Sequence, residues 1–103
     1  MVNKITEDEF KESIKDGYCV VDFSATWCGP CQMLAPVLET VSEEMTDKAK
    51  FFALDVDEAQ DLCNELGIMS VPSVFLFKNG EVISQSTGFK PKEAIESWIS
   101  ENL

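Results

Sequence analysis

The run YCVVDFSA, residues 18–25, is apolar at nearly every position instead of alternating apolar with polar. A strand of that kind is buried on both faces, so its sheet needs a layer on each side, and helices are the usual cover. The 103 residues, 45% of them hydrophobic, suffice for one domain spanning residues 1–103 with a core of its own. No repeat, low-complexity tract or long linker divides the chain.

Other segments fall around this strand in alternation. After a short apolar start, TEDEFKESIKDG has a capping-box pattern at Thr6 and Glu9, apolar residues at Phe10 and Ile14, and a terminating Gly17, which predicts a first helix. MLAPVLETVSEEM has helical spacing at Leu34, Val37, Leu38 and Val41. KFFALDVD is a strand candidate, and AQDLCNELG a short helix with Ala59, Leu62, Cys63 and Leu66 on one face, stopped by Gly67. SVFLFKNGEVISQS pairs two β-rich runs around Asn79-Gly80, a strong hairpin signal, and PKEAIESWISENL closes the chain as a helix with Pro91 near its first turn. The expected fold class is α/β, a mixed sheet with helices on both faces.

Charge and composition exclude several functions. Nineteen acidic residues face eight lysines and no arginine, a formal charge of −11. A nucleic-acid partner, which calls for clustered Lys or Arg, is therefore not expected. No apolar window approaches the roughly 18 residues of a membrane span, and MVNKITEDEF lacks a signal-peptide core, so the expectation is a cytoplasmic protein away from membranes. The complete absence of histidine removes a Cys-His nucleophile, a Cys2His2 zinc site and a histidine base.

The chemistry then falls to cysteine. Cys28 and Cys31 in WCGPC stand two residues apart where a helix is due to start. A structural bridge stabilises mainly by closing a long loop, so this spacing favours reversible dithiol chemistry over stapling. The first turn of a helix offers unpaired N–H groups and the positive end of the dipole, which favours a thiolate at Cys28. Pro30, lacking an N–H, fits that turn, whereas Pro36 further in deprives the Gln32 carbonyl of its donor and should kink the helix. The competing reading of CGPC is half a zinc site completed by Cys19 and Cys63. Both outlying cysteines fall on apolar faces, where free cysteine acts as a small buried hydrophobe.

Asp22 interrupts the apolar run six residues before Cys28. Either its carboxyl is satisfied by backbone donors at a strand end, or it is buried unpaired, titrates high and can shuttle a proton near neutrality.

VVDFSATWCGPC, with SVPSVFLFKNG and STGF further on, resembles the thioredoxin family over essentially the whole chain. The resemblance implies a central mixed sheet of about five strands flanked by four helices, and a protein-disulfide reductase that needs no cofactor or metal. Cys28 would be the exposed attacking thiol, Cys31 the buried resolving thiol, and Asp22 the buried acid handling the proton of Cys31. Val71-Pro72 would be a cis-proline loop beside the dithiol, and Trp27, Gly29, Pro30, Val71, Pro72, Gly88 and Phe89 the substrate rim; ordinary core packing is the other reading of Trp27 and Phe89. The implied partners are disulfide-containing client proteins and a thioredoxin reductase, a flavoenzyme, with the chain itself a monomer. Gln32 and Ala53 stand where many members carry a cation, and without one beside it Asp22 should be harder to ionise. Ser24 occupies a position that is Trp in many bacterial members. A binding module that uses the same surface without redox turnover is the alternative.

Overall fold

The computed structural model describes all 103 residues. Strand β1 (Val2–Lys4) and a 3-10 turn at Glu7–Glu9 lead into α1 (Phe10–Ile14), β2 (Tyr18–Ser24), α2 (Gly29–Glu44) and β3 (Lys50–Asp55). A second 3-10 turn at Val56–Glu58 precedes α3 (Gln60–Leu66), β4 (Ser73–Lys78), β5 (Glu81–Thr87) and α4 (Lys92–Glu101). The sheet order is β1-β3-β2-β4-β5. The first three are mutually parallel, and β4 and β5 are antiparallel to their neighbours.

β2 is the central strand, and its near-continuous apolar sequence follows from that place. Cys19, Val21 and Phe23 point to the face covered by α1 and α3, where the rings of Phe10, Phe23, Phe75 and Phe77 pack with centroids 5.5–6.2 Å apart. Val20 points to the opposite face and packs against Leu34, Leu38 and Val41 of α2 and Ile95 and Ile99 of α4. Asp22 alternates with Val20 onto that second face and lies level with Ala53 of β3 and Val74 of β4.

Two local features depart from the sequence reading. The helix expected from Thr6 to Gly17 is divided: the Glu9 carboxylate accepts from the Thr6 N–H at 2.8 Å, but the first turn is 3-10 and the α-helical part ends at Ile14. The three-residue β1 was invisible as a strand. Parallel pairing of Val2 with Phe51 and a 3.0 Å hydrogen bond from the Val2 N–H to Glu39 of α2 order it, both tertiary contacts. α2 continues unbroken through Pro36.

The Asn79-Gly80 hairpin is as expected, with φ of 50° and 85°. Its tip is tied to the turn after α1, since Asn79 Oδ1 accepts from the Gly17 N–H at 2.8 Å and the Asn79 N–H donates to the Gly17 carbonyl at 2.9 Å. A Cβ at Gly80 meets only the Lys15 Cα, at an ordinary 3.9 Å, so Gly80→Ala isolates the backbone cost of a left-handed conformation. The variant should lose roughly 1–2 kcal/mol in urea unfolding with an unchanged m value; an unaltered midpoint would show that the turn relaxes freely.

Candidate active site

The end of β2 and the start of α2 are separated by only four residues, Ala25 to Cys28, so the turn is tight. The Cys28 N–H donates to the Ala25 carbonyl at 3.2 Å, and the Gln32 side-chain amide donates to the Thr26 carbonyl at 2.6 Å, closing the loop over the helix start. Cys28 is the N-cap of α2 (φ −97°, ψ 116°), Gly29 and Pro30 follow, and Cys31 is the third helical residue. The Cys31 N–H donates to Cys28 Sγ at 3.2 Å. Sulfur thus takes the place that a serine or aspartate oxygen occupies in an ordinary N-cap, at the positive end of a 16-residue helix.

The two thiols are less different in exposure than expected. Cys28 is 7% exposed and Cys31 3%. Instead of standing out from the surface, Cys28 lies on the wall of a cleft of about 570 Å³, and its thiol makes a long contact, 3.8 Å, to the Val71 carbonyl. The Val71-Pro72 peptide is cis. Pro72 is buried behind Val71, and its carbonyl accepts from the Gly88 N–H at 2.8 Å, which fixes the loop beside the dithiol to the end of β5.

Of the expected rim, Trp27, Gly29, Pro30 and Val71 line this cleft with Cys28. Pro72, Gly88 and Phe89 do not line it; Pro72 follows Val71, Gly88 is hydrogen-bonded to the Pro72 carbonyl, and Phe89 comes next in the chain. Trp27 is 70% exposed and Phe89 38%, so neither is a core aromatic. The Trp27 indole N–H donates to Asp57 Oδ2 at 2.8 Å, which holds the exposed ring in place. Sequence reasoning missed the far wall, Val56, Cys63, Ile68, Met69 and Ser70. The available signal was two apolar residues, Ile68 and Met69, after the helix-ending Gly67 and just before an X-Pro bond. Cys63 does belong to the core as expected, and also borders the cleft.

Asp22 is 4% exposed, in mid-strand, with no hydrogen-bond partner for Oδ1. Backbone satisfaction at a strand end is therefore not its state. Burial alone pushes its pKa up to about 7. Ala53, level with it, supplies no charge and opens a second cleft of about 340 Å³, bordered also by Cys31, Ser24 and Gln32. The Cys31 thiol is pushed up to about 11, by burial first and then by its hydrogen bond with Cys28, with the Asp22 charge adding in the same direction. Cys19 and Cys63 are also raised by burial, and all four thiols are free. No group of three or more Cys, Asp or Glu side chains is gathered where one metal ion could hold them, and no helix is long and apolar enough to cross a membrane.

The family model described as thioredoxin matches residues 1–101. Over 100 residues the chain is 45% identical to thioredoxin of Bacillus subtilis, covering 97% of this chain and 96% of that one. It is 41% identical over 100 residues to thioredoxin of Listeria monocytogenes, with 97% of each chain covered. Against thioredoxin of Rickettsia prowazekii it is 39% identical over 105 residues, the full length of both.

The buried acid has a stability signature. Because the folded-state pKa of Asp22, about 7, exceeds that of the unfolded chain, its ionisation does not oppose folding below about pH 4, and stability is lost as pH rises from there to about 7. Asp22→Asn removes this dependence. Between pH 5 and pH 8 its stability should gain on that of the wild type by roughly 2–3 kcal/mol in denaturant unfolding; a difference that stays constant over that range would mean the carboxyl is not held neutral by burial.

Proposed function

The chain belongs to the thioredoxin family and is a thiol-disulfide oxidoreductase that reduces protein disulfides, and we propose that Cys28 is its attacking thiol, Cys31 its resolving thiol and Asp22 the acceptor of the Cys31 proton. The observation that carries these roles is the sulfur N-cap: Cys28 Sγ faces a cleft and accepts from the Cys31 N–H, so charge on that sulfur meets a donor and the helix dipole.

The reaction runs in two exchanges. The Cys28 thiolate attacks one sulfur of a client disulfide, a Cys28–client bond forms, and the client's other sulfur leaves as a thiolate and is protonated. Cys31 then gives its proton to the Asp22 carboxylate, relayed by solvent in the cleft beside Ala53, and attacks Cys28 Sγ. The Cys28–Cys31 bond forms, the second client sulfur leaves, and two electrons have passed to the client. The Cys31 N–H and the helix dipole face the Cys28 sulfur, the one that attacks in the first exchange. Holding Cys31 one turn along the same helix makes its attack intramolecular, which replaces a bimolecular step by positioning.

Trp27, Gly29, Pro30 and Val71 form the docking face, extended by Pro72, Gly88 and Phe89, and an extended client segment lies along the Val71 backbone. Clients are disulfide-containing proteins, and a reductase partner reopens the Cys28–Cys31 bond. We take that reductase to be a flavoenzyme, the protein to be a monomer acting as a single domain over residues 1–103, and its compartment to be the cytoplasm, in keeping with four free thiols.

Catalytic amounts of the protein should accelerate insulin reduction by limiting dithiothreitol over many turnovers. Cys28→Ser should fall to the uncatalysed rate, and Cys31→Ser should accumulate a mixed disulfide with insulin at Cys28, visible by mass. Multiple turnovers by Cys28→Ser would overturn the assignment, and a client captured as well by the Cys28→Ser, Cys31→Ser double variant would favour a redox-independent binding module.

A further inference from the structure

We propose that Met69 is a peroxide-sensitive docking residue, whose oxidation to the sulfoxide weakens the engagement of client proteins while leaving the dithiol chemistry intact. The inference rests on the docking reading of the Cys28 cleft. Met69 lines that cleft together with Cys28 and is 96% exposed, the highest value among the large apolar side chains that are exposed. The other methionines differ from it: Met33, 60% exposed on α2, and Met1, 74% exposed at the chain start, do not line this cleft, and Met45 is 6% exposed in the core.

An unbranched thioether is suited to a surface that receives many different clients, because it repacks against different shapes at little cost. Trp27, Val56, Ile68 and Val71, which line the cleft with it, are apolar. The same sulfur is a nucleophile open to solvent. Attack on a hydroperoxide forms the S–O bond and breaks the O–O bond; the sulfur loses two electrons, the peroxide gains them, and water or an alcohol leaves. The product is a polar, chiral side chain in an apolar wall, which must be desolvated whenever a client docks. A small disulfide that reaches Cys28 without covering the cleft wall is spared that cost. Oxidant level is thereby read out as slower reduction of proteins in particular.

The experiment treats the Cys28–Cys31 disulfide form with hydrogen peroxide, so that both active-site thiols are protected, then restores the dithiol with dithiothreitol, which leaves the sulfoxide in place. Peptide masses locate the added oxygen. Initial rates are compared, before and after treatment, on insulin and on 5,5'-dithiobis(2-nitrobenzoate). For the wild type, oxygen should appear at Met69 ahead of Met33, kcat/KM on insulin should fall roughly fivefold, and the small-disulfide rate should hold. Met69→Leu should show the same insulin rate before and after treatment, whatever its starting value, whereas Met33→Leu should remain peroxide-sensitive. Equal loss in wild type and Met69→Leu, equal loss on both substrates, or full insulin activity with oxygen located at Met69 would each overturn the proposal. Trp27→Ala separates the two layers: a raised insulin KM there, with no effect of Met69 oxidation, removes Met69 and keeps the docking face, while no effect of either removes the docking reading as well.

Discussion

The 3.2 Å hydrogen bond from the Cys31 N–H to Cys28 Sγ is the contact on which the site depends. It makes one sulfur the cap of α2 and the other a resident of its first turn, so the reacting pair is positioned by the same backbone that starts the helix. Everything nearby serves that geometry. The strand-to-helix turn is short, Gln32 clasps it through Thr26, and Pro30 occupies a helical position where a missing N–H costs nothing. The helix itself is held by Leu34, Leu38 and Val41 against the sheet, so the cap inherits the rigidity of the core.

The same core imposes an electrostatic cost. β2 is buried on both faces, and Asp22 on it has no partner for one oxygen. A neutral side chain there would be easier to fold around, since burying an ionised carboxylate is unfavourable. What the fold gains is a base of pKa about 7 near a thiol of about 11. With no cation at Ala53, the chain leaves the acid to burial alone. In the proposed mechanism this gives up stability at neutral pH in exchange for proton transfer in the working range.

Most of the fold was legible because its signals are local. The continuous apolar run named β2 as a central strand, Asn79-Gly80 named the hairpin, and Gly67 named the end of α3, where it takes the left-handed conformation at φ 69°. β1 was not legible, because a three-residue strand has no period to read, and its order comes from Phe51 and Glu39, far away in sequence. α1 was over-extended because its capping pattern marks where a turn begins and not which helical form it takes. At the site, the dithiol and the acid were readable from spacing and anomaly. The second wall of the cleft was not, because Val56, Cys63 and Met69 meet Cys28 only through the crossover of α3 and the cis-proline loop. The shallow placement of Cys28 inside a cleft likewise depends on that wall.

Proton transfer from Cys31 to Asp22 is tested most directly by stopped-flow reaction of the reduced protein with 5,5'-dithiobis(2-nitrobenzoate). The first thionitrobenzoate released reports attack by Cys28, and the second reports resolution by Cys31. The rate of the second release should rise with pH through an inflection near 7 in the wild type. In Asp22→Asn it should be slower, lack that inflection and climb only towards the alkaline range of the Cys31 thiol. Superimposable second-phase profiles for the two proteins would contradict the role given to Asp22 and leave solvent as the base.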